Sequence, residues 1–252
     1  MSVKVEIYGI KVNGEVKEGE DLARLIVEEA ERQANGLLDG DVVVVTSKIV
    51  AKAEGRLVNL KRVRPSAFAK NLARYTGKPA TLIEVILRES RSITRVRRGT
   101  IIVETKHGFI CANAGVDRSN VKPGFLTLLP KDPDRSAQML KSRIKELTGR
   151  DVAVIISDTQ GRPFREGQVD ASIGLAGLEP INDLRGLEDL YGYRLRVKRI
   201  AIADELAAAA ELVIGQASEG IPIAVIRGVK YRSSEKATVK RLLRPKRRSL
   251  FL

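Results

Sequence analysis

DVVVVTSKIVAKAEGR, residues 41–56, joins an apolar block to a run of hydroxyl and ammonium side chains. The block Asp41–Thr46 is β-branched and follows the turn residues Asp39-Gly40. A short apolar run without polar alternation is typical of a strand buried on both faces. Ser47 comes directly after it. The stretch therefore predicts a central buried strand with polar groups beyond its carboxyl end.

Segments on either side of this stretch carry further patterns of both strand and helix. Strands are predicted over Val3–Tyr8, Val152–Ser157 and Ile221–Ile226, helices over Glu20–Ala34, Asp134–Leu147 and Ala201–Ile214, and a hairpin over Thr100–Glu104 and Phe109–Ala112. Thr81 and Glu84 have the spacing of a capping box, which predicts a helix through Leu87. Because strands and helices alternate irregularly, the expected fold class is mixed α/β (α+β) rather than a regular doubly wound sheet.

Composition indicates a globular chain. Of its 252 residues 43% are apolar and 30% charged, and no internal repeat or long linker divides it. Residues 1–252 are therefore expected to form one unit, with boundaries of any subdomains left open. The segment 236–252 is rich in lysine and arginine, and such a segment is usually a solvated end.

Compartment and partner class follow from cysteine usage and charge. The single cysteine, Cys111, cannot form an internal disulfide, and no secretory signal or long apolar span is visible, so a cytoplasmic protein without a membrane segment is expected. The net charge of +14 favours anionic partners such as nucleotides or nucleic acid. A basic RNA-binding protein without catalysis is one alternative, but only 4% of residues are aromatic and no RNA-recognition or zinc-finger spacing is present.

The first polar cluster, Thr46–Arg56, could meet phosphate oxygens at a strand end. The glycine-rich patterns GxxxxGK[ST] and GxGxxG are both absent, so the common nucleotide-binding motifs give no support. On its residues alone, this cluster favours a solvated basic loop.

Three more clusters carry oxygen-rich side chains. Asn113–Asn120 combines a carboxylate with two amides after a glycine turn, and such groups either bind hard cations or satisfy their own backbone. Ser157–Arg165 places Asp158 at the expected end of a strand with two guanidinium groups behind it, which suits a metal-bound phosphate, although a plain Asp-Thr turn has the same pattern. Gly215–Pro222 is a small-residue loop whose backbone N–H groups could face an anion.

Taken together, SKIVAKAEGR, ANAGVDRSN, SDTQGRPFREG and GQASEGIP resemble, in this order and spacing, the coenzyme F420-0:L-glutamate ligase family. The resemblance spans about Val3 to Val229. It implies an unusual two-domain α/β fold, an intertwined homodimer, and GTP-dependent transfer of L-glutamate to the lactyl carboxylate of a deazaflavin precursor through an acyl phosphate, followed by a second, γ-linked glutamate. It further implies divalent ions, Mg²⁺ or Mn²⁺ and two in number, and leaves a requirement for K⁺ open. A ligase of the same fold with another acidic acceptor is a second alternative.

The resemblance also implies roles for matching residues. Metal ligands would be Asp117, Asp158, Thr159 and Gln216, and catalytic roles would fall to Asp117, Asp158 and Lys52. GTP would contact Ser47, Lys48, Lys52 and Asn120, the N-terminal segment Asn13, Gly14, Glu15 and Val16, and the loop Ile214, Gly215, Gln216, Ala217, Ser218, Glu219, Gly220 and Ile221. Arg162 and Arg165 are proposed to bind the precursor's phosphodiester or the glutamate carboxylate, because arginine binds both in bidentate fashion.

Overall fold

The computed structural model describes residues 3–249. Within that range the strands are β1 (Glu6–Ile10), β2 (Val42–Thr46), β3 (Leu57–Asn59), β4 (Ser90–Arg97), β5 (Thr100–Thr105), β6 (Ile110–Ala112), β7 (Phe125–Thr127), β8 (Ala153–Arg162), β9 (Arg165–Leu178), β10 (Asn182–Asp183), β11 (Arg199–Ile200), β12 (Ile223–Arg227) and β13 (Ser233–Ser234). The α-helices are α1 (Leu22–Ala34), α2 (Ser47–Ala53), α3 (Ala67–Thr76), α4 (Ala80–Arg88), α5 (Pro133–Thr148) and α6 (Ile202–Ile214). The mixed α/β class expected from the sequence is confirmed.

A six-stranded sheet in the order β1-β12-β2-β8-β9-β13 forms the centre of the molecule. Only β2 and β8 run parallel, and their register pairs Val42 with Ala153 and Thr46 with Ser157. The four valines of β2 are fully buried, as the β-branched block predicted. Helices α1 and α5 pack on each other beside the sheet, and α6 packs separately against β1, β9 and β12, so both sheet faces are covered.

A second hydrophobic cluster lies apart from this core. It is built from α3, α4 and strands β4, β5 and β7, with Ile83, Ile86 and Ile101 completely buried. The β5–β6 hairpin confirms the expected pairing of Thr100–Glu104 with Phe109–Ala112. Residues 3–249 therefore contain two apolar clusters, while the boundaries of the expected subdomains stay a prediction.

The helix predicted through Leu87 is confirmed as α4, but its expected capping box and the expected solvated loop after β2 are wrong. Helix α4 begins after Pro79 without a side-chain cap, because Glu84 instead accepts a hydrogen bond of 2.9 Å from the backbone N–H of Ser66 at the start of α3. The expected solvated loop after β2 is the helix α2, since Ile49, Val50 and Ala51 are apolar enough to pack inward.

The remaining corrections concern strand β8 and the basic tail. Strand β8 continues past the expected end at Asp158 as far as Arg162, because it pairs with β9 along its whole length. The expected solvated tail is anchored at its beginning: Val239 is buried in the main core, and Asp134 accepts hydrogen bonds from its N–H and from Thr238. The last residues of the tail, 250–252, lie outside the described residues.

Candidate active site

The parallel pairing of β2 with β8 determines where the polar clusters meet. Both strands reach the same sheet edge in register, so the side chains that follow Thr46 on β2 face those that follow Ser157 on β8. There the hydroxyl of Ser47 donates a hydrogen bond of 2.7 Å to Oδ1 of Asp158. The first and third clusters, more than one hundred residues apart, are therefore in direct contact.

The other clusters join this pair through side-chain contacts. Lys48 Nζ lies 2.6 Å from Oδ2 of Asp117 in the second cluster, and Nδ2 of Asn120 donates to the carbonyl of Ala217 in the fourth at 3.2 Å. Oγ1 of Thr159 lies 3.0 Å from Oε1 of Gln216. All four clusters thus converge within one chain.

The N-terminal segment completes the enclosure. Val12 N–H donates to the carbonyl of Gly220, and Glu15 Oε1 lies 3.1 Å from Nζ of Lys52. Together these walls enclose a cleft of about 890 Å³, a size suited to a nucleotide and part of a second substrate.

Most of the residues expected from the family resemblance line this cleft. These are Gly14, Glu15, Val16, Ser47, Lys48, Lys52, Asp117, Asn120, Asp158, Thr159, Ile214, Gly215, Gln216, Ala217, Ser218, Glu219, Gly220 and Ile221. Asn13 does not, although both of its neighbours do. The roles assigned to these residues stay predictions.

The two arginines expected to bind substrate lie elsewhere. Arg162 and Arg165 flank the exposed turn of the β8–β9 hairpin and are not among the residues that line the cleft. Arg162 Nη2 donates to the carbonyl of Glu166 at 3.0 Å. The sequence suggested proximity to Asp158 because it predicted a loop, whereas an extended strand carries these side chains away from it.

Two stretches of unusual backbone shape the cleft walls. Gly215 ends α6 at φ 70° and ψ 179°, a conformation that essentially only glycine adopts. In the second cluster Asn113, Ala114 and Asn120 all have positive φ, and for alanine this costs roughly 1 kcal/mol or more. Glycine and asparagine tolerate these conformations, so Ala114 is the residue here that the surrounding packing holds against its own preference.

The cleft floor is acidic and partly dehydrated. Burial, together with the nearby charges of Asp170 and Asp117, raises the pKa of Asp158 to about 7, although the hydrogen bond from Ser47 lowers it. The pKa of Asp117 is lowered in spite of its burial, through its bonds to Lys48 and Ser119. Carboxylates held this close repel one another, and a cation relieves that repulsion.

Asp170 was missed at the level of sequence. It is 3% exposed on β9, lines the cleft, and accepts hydrogen bonds from Ser157 and Thr159. The one available signal was an acid within the apolar alternation Val169-Asp170-Ala171. Cys111 also lines the cleft, but burial raises the pKa of its thiol to about 12, which agrees with a packing role.

The oxygen atoms that line the cleft are of the kinds that bind hard cations. Asp117, Asp158, Thr159 and Gln216 offer carboxylate, hydroxyl and amide oxygens, the ligands that Mg²⁺ and Mn²⁺ prefer. Within residues 3–249 no group of three or more His, Cys, Asp and Glu side chains is arranged to hold a metal. Neutral oxygens from Thr159 and Gln216 would therefore have to complete any such site.

Comparison with known proteins gives the family. The model of the F420-0:Gamma-glutamyl ligase family matches residues 9–228. The chain is 49% identical over 248 residues to the coenzyme F420:L-glutamate ligase of Methanothermobacter thermautotrophicus, covering 98% of each chain. It is 51% identical to the protein of the same name from Methanopyrus kandleri, over 90% of this chain and 88% of that one. The Archaeoglobus fulgidus ligase is 42% identical, over 96% of this chain and 99% of that one.

None of the helices in the described part of the chain is long and apolar enough to span a membrane. The family match covers the four inner strands β12, β2, β8 and β9 of the sheet and all four polar clusters, and the chain matches the Methanothermobacter thermautotrophicus protein almost end to end. The chain belongs to the F420-0:gamma-glutamyl ligase family.

Proposed function

We propose that this protein adds L-glutamate to the lactyl carboxylate of coenzyme F420-0, and then a second glutamate through the γ-carboxylate of the first, with GTP as the energy source. One observation carries this proposal: residues from distant segments form two ion pairs in a single cleft, Lys48 with Asp117 and Lys52 with Glu15. Membership of a ligase family argues against the alternative of a non-catalytic RNA-binding protein.

A carboxylate reacts poorly with amines because its oxide is a poor leaving group. In the proposed reaction, the lactyl carboxylate oxygen attacks the γ-phosphorus of GTP, and the bond to the bridging oxygen of GDP breaks. The amine of glutamate then attacks the acyl carbon of the resulting acyl phosphate, phosphate leaves, and the amine loses a proton. Holding the reactants together replaces much of the entropy cost of each step.

Side chains of the cleft would hold and orient these groups. Lys52 is buried and would place fixed positive charge against phosphate oxygens, where water screens it little. Lys48 and Ser47 would contribute further contacts to the nucleotide. Glu15 and Asp117 now pair with the two lysines, so a bound triphosphate would exchange these carboxylates for phosphate oxygens.

Divalent ions would be held by Asp117, Asp158, Thr159 and Gln216. When bound, such ions neutralise phosphate charge and polarise the phosphorus for attack. We further propose that these ions are Mg²⁺ or Mn²⁺ and that the protein is a homodimer. The proposal leaves a requirement for K⁺ open.

The direct test is incubation with F420-0, L-glutamate, a divalent metal and either GTP or ATP, with product mass as the measurement. One and then two added glutamyl residues with GTP, and much less product with ATP, is the expected result. A heavy-oxygen label in the lactyl carboxylate should appear in the released phosphate. Turnover of another acidic acceptor in place of F420-0 would support the alternative ligase.

A further inference from the structure

Asp170 is the one buried carboxylate at the cleft that the proposed reaction leaves without a role. It lies on β9 directly opposite Thr159 of β8 and is 3% exposed. Its own backbone N–H donates to Oε2 of Glu211 at 2.9 Å, which ties this part of β9 to helix α6. The position of its side chain is therefore fixed from two elements.

Three side chains direct hydrogens at this carboxylate. Ser157 Oγ donates to Oδ2 at 2.8 Å, while Thr159 Oγ1 and Gln216 Nε2 approach Oδ1 at 2.8 and 3.2 Å. A carboxylate accepts hydrogen bonds from all three without donating any. Asp170 thus determines where these donors point their hydrogens.

These hydrogen bonds decide which atoms of Thr159 and Gln216 act as donors and which act as acceptors. A hydroxyl and an amide can each donate or accept, so neither presents a fixed charge to the cleft by itself. The single Thr159 hydrogen has two acceptors within reach, Oδ1 of Asp170 at 2.8 Å and Oε1 of Gln216 at 3.0 Å, and the shorter bond to the charged carboxylate is the stronger one. With this hydrogen and the Gln216 NH₂ directed at Asp170, the oxygens Oγ1 and Oε1 are left as acceptors, 3.0 Å apart. Neighbouring ligands of a six-coordinate ion with metal–oxygen distances of about 2.1 Å have roughly this separation.

We propose that Asp170 is a positioning residue that orients Thr159 and Gln216 so that their oxygens face a divalent cation. The inference rests on the metal site of the proposed function and adds to it the residue that sets the polarity of its neutral ligands. Mutating a residue that hydrogen-bonds to the ligands of a metal ion typically lowers metal affinity by about 10- to 100-fold.

The test compares Mn²⁺ binding to the wild type and to Asp170→Asn by calorimetry and electron spin resonance, with Mn²⁺ alone as the probe. A neutral amide holds the hydrogens of Thr159 and Gln216 less strongly than a carboxylate does, so the affinity should fall about tenfold or more. Asp204→Asn is the matched control: Asp204 is a partly buried acid on α6 that accepts from the N–H of Ser172 on β9, away from Thr159 and Gln216. The Mn²⁺ affinity of Asp204→Asn should stay within about twofold of the wild type, even if this variant loses as much thermal stability as Asp170→Asn does.

A purely structural role predicts a lower melting temperature for Asp170→Asn with unchanged Mn²⁺ affinity, and that result would overturn the inference while the metal site stands. Absence of Mn²⁺ binding to the wild type, with and without GTP, would instead reject the metal site itself and with it the role of Asp170. Should Asp170→Asn fail to fold, Ser157→Ala removes only the bond to Oδ2. A several-fold loss of affinity is then expected, and an unchanged value counts against the inference.

Discussion

Arg227 binds Asp41 through two parallel hydrogen bonds, Nε to Oδ1 at 3.0 Å and Nη2 to Oδ2 at 2.7 Å. The pair joins the end of β12 to the residue before β2, and the guanidinium also lies 5.3 Å from the centre of the Tyr8 ring on β1. Asp41 is 1% exposed, so water does not replace the pairing if it is broken. Three adjacent strands of the central sheet are thereby connected at one end.

Replacing Asp41 with asparagine should lower the free energy of unfolding by about 3 kcal/mol, because it leaves the partly buried guanidinium of Arg227 without its counter-charge. Urea denaturation measures this. The control is Asp39→Asn, whose exposed carboxylate pairs with Arg150 and should contribute less than about 1 kcal/mol. Equal losses in the two variants would show that burial does not control the strength of these pairs.

Asp158→Asn should reduce GTP-dependent glutamylation by about 100-fold or more, since the amide removes a charge that the proposed cation site requires. The measurement is the initial rate of product formation at saturating substrates, with folding checked by circular dichroism. Asp204→Asn, a partly buried acid outside the cleft, should keep nearly the wild-type rate. A wild-type rate in Asp158→Asn would remove its metal role.

The stability of the metal-free protein should depend on Asp158 and pH in a defined direction. Its pKa rises from an ordinary 3.8 to about 7, chiefly through burial, so between these values the folded chain keeps a proton that the unfolded chain has lost. Stability contributed at this position therefore falls as pH rises from about 4 to 7. Relative to the wild type, Asp158→Asn should gain up to about 4 kcal/mol between pH 4 and pH 8, since a pKa raised from 3.8 to about 7 corresponds to about 1.4 kcal/mol per pH unit.

Urea denaturation with a metal chelator at the two pH values gives this difference. A gap between the variants that stays constant with pH would mean that Asp158 titrates normally.

Lys52→Met should raise the KM for GTP about tenfold or more, because a buried ammonium bonded to phosphate contributes about 1.5–3 kcal/mol. Steady-state kinetics with varied GTP measures this. Lys145→Met is the matched control: Lys145 is exposed, pairs with Asp151 and does not line the cleft. Unchanged KM in Lys52→Met would place the triphosphate elsewhere.

Local sequence patterns were sufficient for many of the elements. The valine block of β2, the periodic helices α1, α5 and α6 and the β5–β6 hairpin appear close to where apolar spacing predicted them, because each pattern acts within one element. The order and spacing of the four polar clusters also pointed to the ligase family, which the family match then established.

Other features required long-range contacts. The charges of Thr46–Arg56 alone favour a solvated loop, whereas packing against the core forms helix α2 and buries Lys52. Strand β8 runs past Asp158 because β9 supplies backbone partners that no local pattern reveals.

The site shows the same division. The sequence by itself determined which oxygen and ammonium groups exist, and the family to which they point. Only tertiary structure decided that Ser47 meets Asp158, that Asp170 holds Thr159 and Gln216, and that Arg162 lies away from the cleft. The reason is physical: the parallel, in-register pairing of β2 with β8 brings together residues more than one hundred positions apart, and local propensity does not encode such pairing.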